Sequence, residues 1–226
     1  MSLLPAAAPE ELGPGLLLHR GWFDRAAQEL LVNDLRSAIR TAPLFTPVMP
    51  KTGTPFSVRM TNCGPLGWVS DIRGYRYQQL HPETDAPWPM IPEALLQTWE
   101  GLSCFPDPPE ACLVTWYEGK ARMGLHQDRD EAEFSAPVLS VSLGDTCLFR
   151  YGGLQRNDPT KSVKLESGDV LLIGGASRLC FHGVDRVMAG SSDLLPRGGR
   201  INLTLRRVTP SPHSRTPSHP VRSAGP

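Results

Sequence analysis

Two histidines and one aspartate have the residue types and spacing of a metal site. His126 and Asp128 are separated by one residue, and His182 lies far downstream. Two imidazoles and one carboxylate hold a non-haem Fe(II) on one face and leave positions open for a cosubstrate and dioxygen. Residues i and i+2 of a strand point to the same side, so His126 and Asp128 at a strand end can both reach one ion. This triad predicts an iron-dependent oxygenase.

His182 is the best candidate for the third ligand. It follows two short apolar segments, Val170–Ile173 and Leu179–Phe181, that are typical of strands. The other histidines lie beside a leucine run, before a proline or in a Pro/Ser-rich tail. The competing interpretation is an ordinary surface turn at His126 and Asp128, with His182 as a hydrogen-bonded core histidine.

A second motif favours the oxygenase. Polar and apolar residues alternate without a break from Arg200 to Arg206, the period of a half-buried strand. One face carries Arg200, Asn202, Thr204 and Arg206. Such a face is often simply solvated, but two arginines can also bind a dicarboxylate through bidentate, charge-assisted hydrogen bonds. 2-Oxoglutarate, the cosubstrate that this kind of iron oxygenase requires, is a dicarboxylate.

Several segments together resemble the AlkB family of bacterial 2-oxoglutarate- and iron-dependent dioxygenases, which remove alkyl groups from damaged nucleobases. The resemblance runs from Met60 to Arg207, about two thirds of the chain. The matching segments are Met60–Trp68, Gly74–Tyr77, Ala111–Val114, Leu125–Asp130, Val141–Gly144, Gly152–Asp158, Gly168–Asp169 and His182–Gly183.

The resemblance implies a role for each matching residue. His126, Asp128 and His182 would bind Fe(II). The 2-oxoglutarate residues would be Arg200 for the distal carboxylate, Arg206 near the carboxylate next to the keto group, and Tyr117, Asn202 and Thr115 beside them. The substrate residues would be Trp68, Tyr75, Asp130 and Arg156. One departure is visible, because the family has an asparagine where this chain has Thr115, and a hydroxyl lacks the reach of an amide.

The resemblance also implies substrate and chemistry. Fe(II), 2-oxoglutarate and O2 would drive demethylation of bases such as 1-methyladenine and 3-methylcytosine in single- or double-stranded DNA, with RNA left open. A flipped base needs aromatic faces, which Trp68, Tyr75 and Tyr77 offer. Asp130 would favour a cationic alkylated base. Two alternatives stay open: an oxygenase acting on a small molecule or protein, and a binding protein without turnover.

The amino-acid composition limits the partners and the cellular compartment that we expect for this protein. Lys plus Arg equals Asp plus Glu at 23 each, so attraction to phosphates must come from local patches. Five cysteines without a CxxC pair predict reduced thiols. The sequence has no leader pattern and no apolar stretch that approaches a membrane span. We expect a cytoplasmic monomer without a membrane partner. The candidate phosphate contacts are Arg59, Arg73, Arg76, Lys120, Arg122, Arg129 and Arg156.

The pattern of elements predicts a mainly β protein with flanking helices. One helix should begin after Asp24 and end before Pro43 and a second should run from Pro92 to about Gly101, whereas the second half reads as short strands and turns. We expect a double-stranded β-helix (jelly-roll, cupin-like) core behind an N-terminal nucleotide-recognition lid. The expected divisions are a flexible segment 1–20, an extension with helices and lid 21–110, the dioxygenase core 111–208 and a disordered tail 209–226.

Overall fold

The computed structural model describes residues 8–213. Its helices are α1 (Arg25–Thr41) and α2 (Glu93–Leu102), with a short 3-10 helix at Gly175–Ser177. The strands are β1 (Glu10–Gly13), β2 (Leu16–His19), β3 (Arg59–Cys63), β4 (Gly67–Asp71), β5 (Gly74–Gln78), β6 (Ala111–Tyr117), β7 (Met123–His126), β8 (Val138–Gly144), β9 (Cys147–Tyr151), β10 (Lys161–Leu165), β11 (Val170–Ile173), β12 (His182–Val187) and β13 (Arg200–Arg206).

Two antiparallel sheets form the core. The larger has the order β1-β2-β11-β8-β13-β6-β3, and the smaller has the order β10-β9-β12-β7. The strands from β6 to β13 alternate between the two sheets, except that the consecutive strands β9 and β10 both lie in the smaller one, and this arrangement is that of a jelly roll. This confirms the predicted fold class. A separate two-stranded hairpin, β4–β5, lies in the part of the chain where the lid was expected.

Strand β13 lies inside the larger sheet, between β8 and β6. Its apolar face, Ile201, Leu203 and Leu205, packs in one hydrophobic cluster with α1 and α2. A second cluster lies on the other side of the larger sheet and joins it to the smaller one through residues such as Leu171 and Phe149. The polar face of β13 therefore points between the two sheets. Both faces are covered, so the interpretation as a solvated strand is wrong.

The two helices cover the outer face of the larger sheet. Helix α1 begins as predicted, with the Asp24 side chain accepting a hydrogen bond from the Ala27 backbone N–H. Its buried side is formed by Leu31, Val32 and Leu35, whereas Leu30 is exposed. Neither helix is long and apolar enough to cross a membrane, within the range that the structure describes.

Three sequence expectations about local structure need correction. The segment 1–20 is not uniformly flexible, because β1 and β2 extend the larger sheet and Leu16 and Leu18 are buried. Leu179–Phe181 is not a strand; strand β12 begins at His182 itself. In the expected tail, Ser211 is buried and its N–H donates to Glu133. Residues 214–226 lie outside the described residues.

Candidate metal and cosubstrate site

His126, Asp128 and His182 converge between the sheets. His126 is the last residue of β7 and His182 the first of β12, and the two are paired across these strands. The Asp128 oxygens lie 3.8 Å from each histidine Nε2: Oδ1 from that of His126 and Oδ2 from that of His182. One ligand atom from each residue falls within 4.8 Å of the others. This grouping brings together the residues predicted as metal ligands.

The backbone fixes which nitrogen of each histidine faces the group. Nδ1 of His126 lies 2.9 Å from the carbonyl oxygen of Gly124, and Nδ1 of His182 lies 3.0 Å from that of Cys180. A carbonyl can only accept, so Nδ1 carries the proton in the neutral tautomer of each imidazole, and Nε2 of that tautomer presents a lone pair. Metal-bound histidines usually have such a partner. The sequence did not identify these carbonyls.

The charges around the triad favour metal binding. Burial acts to raise the pKa of Asp128, but Arg206 and then His182 and His126 outweigh burial and hold this pKa below its ordinary value. Burial, aided by His126, lowers the pKa of His182 to about 4. Asp128 is therefore anionic and His182 neutral at neutral pH, which are the forms that bind a metal. The Asp128 Oδ2 is buried without a hydrogen-bond partner among the described residues.

Arg200 is a buried cation with spare donors. Its Nη2 donates to Ser142 Oγ at 2.9 Å, whereas Nε and Nη1 are buried and find no hydrogen-bond partner within residues 8–213. Buried polar groups normally have partners, and an arginine can bind a carboxylate through two parallel hydrogen bonds. These donors fit the distal carboxylate of 2-oxoglutarate.

The remaining predicted cosubstrate residues surround Arg200 by strand pairing. Tyr117 lies opposite Arg200, and Thr115 lies opposite Asn202, on β6 and β13. Directly opposed residues of a sheet share a face, so all four side chains point between the sheets. The Asn202 amide already donates to Ser140 Oγ and to the Val141 carbonyl. Its placement fits a supporting role at this wall.

Arg206 has a different set of neighbours from Arg200. Its Nη2 donates to Asp128 Oδ1 at 2.9 Å, and its Nε lies 3.3 Å from Glu131 Oε1. Arg178 also contacts this group, donating to the Asp128 backbone carbonyl at 2.7 Å and to Glu131 Oε2 at 3.1 Å. Sequence reasoning missed Glu131 and Arg178, because neither belongs to a motif with the triad. Arg206 is thus a partner of the metal ligand. Its buried Nε and Nη1 both lack a hydrogen-bond partner in this part of the chain, so its contact with Glu131 is an ion pair without a hydrogen bond.

Aromatic residues of the β4–β5 hairpin lie at the mouth of the site. The rings of Trp68 and Tyr75 stack with centroids 5.5 Å apart and an angle of 19°. Trp68 Nε1 donates to Asp130 Oδ2 at 2.8 Å. Arg156, which lines the same cavity, lies over the Phe181 ring and donates to the Leu125 carbonyl. The four predicted substrate residues are therefore near the metal triad.

A single cavity of about 660 Å³ connects these groups. The residues assigned to the metal, the cosubstrate and the substrate by the resemblance all line it except Arg200, which is 1% exposed and lies beside its wall. The expectation for Tyr77 is wrong, because this residue does not line the cavity and its hydroxyl donates to Glu131. The cavity volume is within the usual range for ligand sites.

Comparisons with known proteins agree with this geometry. The model of the 2OG-Fe(II) oxygenase superfamily matches residues 15–206. The chain is 54% identical over 202 residues to the alpha-ketoglutarate-dependent dioxygenase AlkB homolog of Caulobacter vibrioides, covering 89% of this chain and 91% of the relative. It is 41% identical over 205 residues to the alpha-ketoglutarate-dependent dioxygenase AlkB of Escherichia coli, covering 88% and 93%.

Two further similarities concern proteins of the ALKBH1 group. The DNA N(6)-methyladenine demethylase ALKBH1D of Arabidopsis thaliana is 44% identical over 108 residues, which are 43% of this chain and 24% of the relative. The solved structure of OsALKBH1 superposes with a TM-score of 0.74 at 33% identity, covering 88% of this chain and 99% of the other.

Proposed function

Because this chain belongs to the 2OG-Fe(II) oxygenase superfamily and is a relative of AlkB, we propose that it repairs nucleic acid by oxidative dealkylation of bases such as 1-methyladenine and 3-methylcytosine. One observation carries the proposal: the stacked pair Trp68 and Tyr75 lies at the mouth of the cavity that also contains the His/Asp/His triad. A metal alone does not require aromatic platforms, whereas a base taken out of its stack does.

The chain's own residues hold and orient the reactants. His126 Nε2, His182 Nε2 and the free Oδ2 of Asp128 would bind Fe(II). Iron with 2-oxoglutarate and O2 supplies the oxidation, which gives succinate and carbon dioxide and releases the hydroxylated methyl group as an aldehyde. The spare donors of Arg200 would bind the distal carboxylate, which must reach past the wall at Tyr117 and Asn202. The residues that surround the cavity limit the access of water to the reaction.

The mouth of the cavity favours a cationic base. Asp130 is exposed, and only one of its oxygens accepts the Trp68 N–H. A carboxylate beside aromatic faces attracts the positive charge of an N-alkylated adenine or cytosine and leaves a neutral base less tightly bound. We therefore assign Asp130 to base selection and Arg156 to the wall of the same cavity.

The kind of nucleic acid that binds is a separate question from the dealkylation itself, and two arginines bear on it. Arg122 and Arg129 line the cavity and are exposed, and neither pairs with a carboxylate in the described range. Such cations can contact phosphates. The balanced total charge supports a short footprint with few phosphate contacts. We propose alkylated DNA, in single or double strands, as the substrate and treat RNA as a second substrate to be tested.

The cellular compartment and the oligomeric state are also part of the proposal. All five cysteines lie in the described part of the chain and none forms a disulfide, which supports a reducing compartment such as the cytoplasm. A monomeric state is expected, and light scattering after size-exclusion chromatography would measure it.

The decisive experiment reconstitutes the protein with Fe(II) and 2-oxoglutarate without oxygen and then adds air and an oligonucleotide containing 1-methyladenine or 3-methylcytosine. Loss of the methyl group coupled to succinate release is expected. An Asp128→Ala variant is the control and should show neither product. Succinate without demethylation would instead favour a small-molecule or protein substrate, and neither product from the intact protein would favour a damaged-base binder. Matched DNA and RNA oligonucleotides in both strand states would settle the preferred substrate.

A further inference from the structure

Two paired residues of the β4–β5 hairpin hold two consecutive acidic residues near the metal triad. Trp68 and Tyr77 lie directly opposite each other on β4 and β5. Trp68 Nε1 donates to Asp130, and the Tyr77 hydroxyl donates to Glu131. The hairpin is therefore bonded twice to the short segment that follows Asp128.

Glu131 is also where two arginines that hold Asp128 meet. Its Oε2 accepts from Arg178 Nη2 at 3.1 Å, and its Oε1 lies 3.3 Å from Arg206 Nε. The same arginines hold Asp128 at two points: Arg206 contacts the side-chain Oδ1 at 2.9 Å, and Arg178 contacts the backbone carbonyl at 2.7 Å. A movement of Glu131 would therefore shift both supports of the metal ligand.

The network is buried, so the low local dielectric strengthens its charged contacts. The side chains of Glu131 and Arg178 are 2% and 4% exposed, and those of Arg206 and Asp128 are 7% and 8% exposed. Two cations face two anions, and the Tyr77 hydroxyl adds a neutral donor from the hairpin. Side-chain networks at low dielectric can contribute more than their separate bonds. A purely structural role would stabilise the fold without linking the hairpin to the metal.

We propose that Tyr77 and Glu131 are positioning residues that couple the base-binding hairpin to the metal ligand Asp128. An ordered hairpin holds Glu131, and through the two arginines it holds Asp128 ready for the metal; binding of the metal in turn orders the hairpin. Reciprocity is required, because coupling between two binding events acts equally in both directions. The inference rests on the proposed iron site and adds a link between that site and base recognition.

The first test measures Mn(II) binding by calorimetry and hydrogen exchange of residues 67–78 with and without Mn(II). In the wild-type protein, Mn(II) should slow exchange of the hairpin. Tyr77→Phe removes one hydroxyl and leaves the four charges in place. This variant should bind Mn(II) about 5-fold more weakly, the lower end of typical coupling, and should lose most of the metal-dependent protection. Unchanged Mn(II) affinity and protection in Tyr77→Phe would overturn the proposal.

Tyr75→Phe is the matched control. It removes a hydroxyl from the same strand, but the only hydrogen-bond partner of that hydroxyl within residues 8–213 is Met49 Sδ, at 3.8 Å. Its Mn(II) affinity and metal-dependent protection should equal those of the wild type. An equal loss in both phenylalanine variants would refute a specific path through Glu131.

A second variant, Glu131→Gln, tests the centre of the network. Loss of its charge should weaken Mn(II) binding by about 10- to 100-fold, as for outer partners of metal ligands. If this variant fails to fold, the Tyr77→Phe variant still tests the proposed coupling. With an alkylated oligonucleotide, Tyr77→Phe should raise KM for the oligonucleotide and lower kcat together, and a change in kcat alone would contradict the coupling.

The proposed iron site and the coupling can fail separately. Wild-type protein that does not bind Mn(II), or binds it as well after Asp128→Ala, would refute the metal site. A wild-type protein that binds Mn(II) at Asp128 but shows no change of exchange in the hairpin would refute the coupling alone.

Discussion

Gly183 lies where the two strands carrying the metal histidines approach each other closely. It follows His182 on β12, at the register shift between the pairs His182–His126 and Val184–Met123. A Cβ on Gly183 would lie 2.5 Å from the Met123 carbonyl oxygen and 2.7 Å from that of Gly124. Real Cβ contacts are essentially never below 3.0 Å. Because both obstacles are backbone atoms, Gly183→Ala must push β12 away from β7.

The displacement can be compared with the tolerance of a metal site. Bringing the 2.5 Å contact only to 3.0 Å requires a shift of 3.0 − 2.5 = 0.5 Å, whereas metal–ligand distances tolerate about 0.2 Å. Both histidines are beside the displaced pair, so we expect Gly183→Ala to weaken Mn(II) binding by about 10- to 100-fold. Overpacking should also cost about 1–3 kcal/mol of unfolding free energy.

Calorimetric Mn(II) titration and urea unfolding measure the two effects. Gly124→Ala is the control on the facing strand, because a Cβ there would meet nothing within 4 Å. The control should bind Mn(II) like the wild type. If Gly183→Ala matched Gly124→Ala in Mn(II) affinity while remaining folded, the argument that strand spacing sets the metal geometry would be wrong.

Three other predictions follow from the site and its surroundings. Arg200→Ala should raise KM for 2-oxoglutarate by about 30-fold or more, because truncating one partner of a buried charge pair costs about 2–5 kcal/mol. Its Mn(II) affinity should stay near wild type, and an unchanged KM would refute the assigned role. Iodoacetamide should rapidly label one thiol of the native protein, Cys104, because the other four are buried and burial raises the pKa of Cys180 to about 11. Mass spectrometry would count the labelled thiols, and rapid labelling of more than one would contradict this. The pKa of His182 is lowered to about 4 from 6.5, so the unfolded chain takes up this proton first as the pH falls. The free energy of unfolding of the metal-free protein should therefore be unaffected above pH 6.5 and about 2 kcal/mol lower by pH 5. Urea unfolding of wild type and His182→Gln at pH 7.5 and 5 should show the smaller loss in the variant, and equal losses would exclude His182 as the cause.

The sequence predicted the parts of the site that lie in periodic or closely spaced motifs. The alternation from Arg200 to Arg206 identified both the strand and the face that points between the sheets. The spacing of His126 and Asp128 at a strand end was also informative, because i and i+2 share a side. These motifs depend on local geometry, which the sequence records directly.

The parts that were missed depend on long-range packing. Glu131 and Arg178 meet only because separate loops converge beneath Asp128. The direction of Tyr77 depended on the same convergence, so its aromatic character suggested a base platform although its hydroxyl is committed to Glu131. The run Leu16–Leu18 was expected in a flexible segment, because only its pairing with β11 decides that it extends the sheet.

The carbonyl contacts of the two histidines bear on how this site tolerates sequence change. Both Nδ1 atoms are held by main-chain oxygens, those of Gly124 and Cys180. A carbonyl is present whatever side chain its residue carries, so substitution at either position cannot delete these acceptors. The imidazole tautomers should therefore survive mutational drift in their partners, and selection should act instead on the backbone spacing that brings the acceptors within reach.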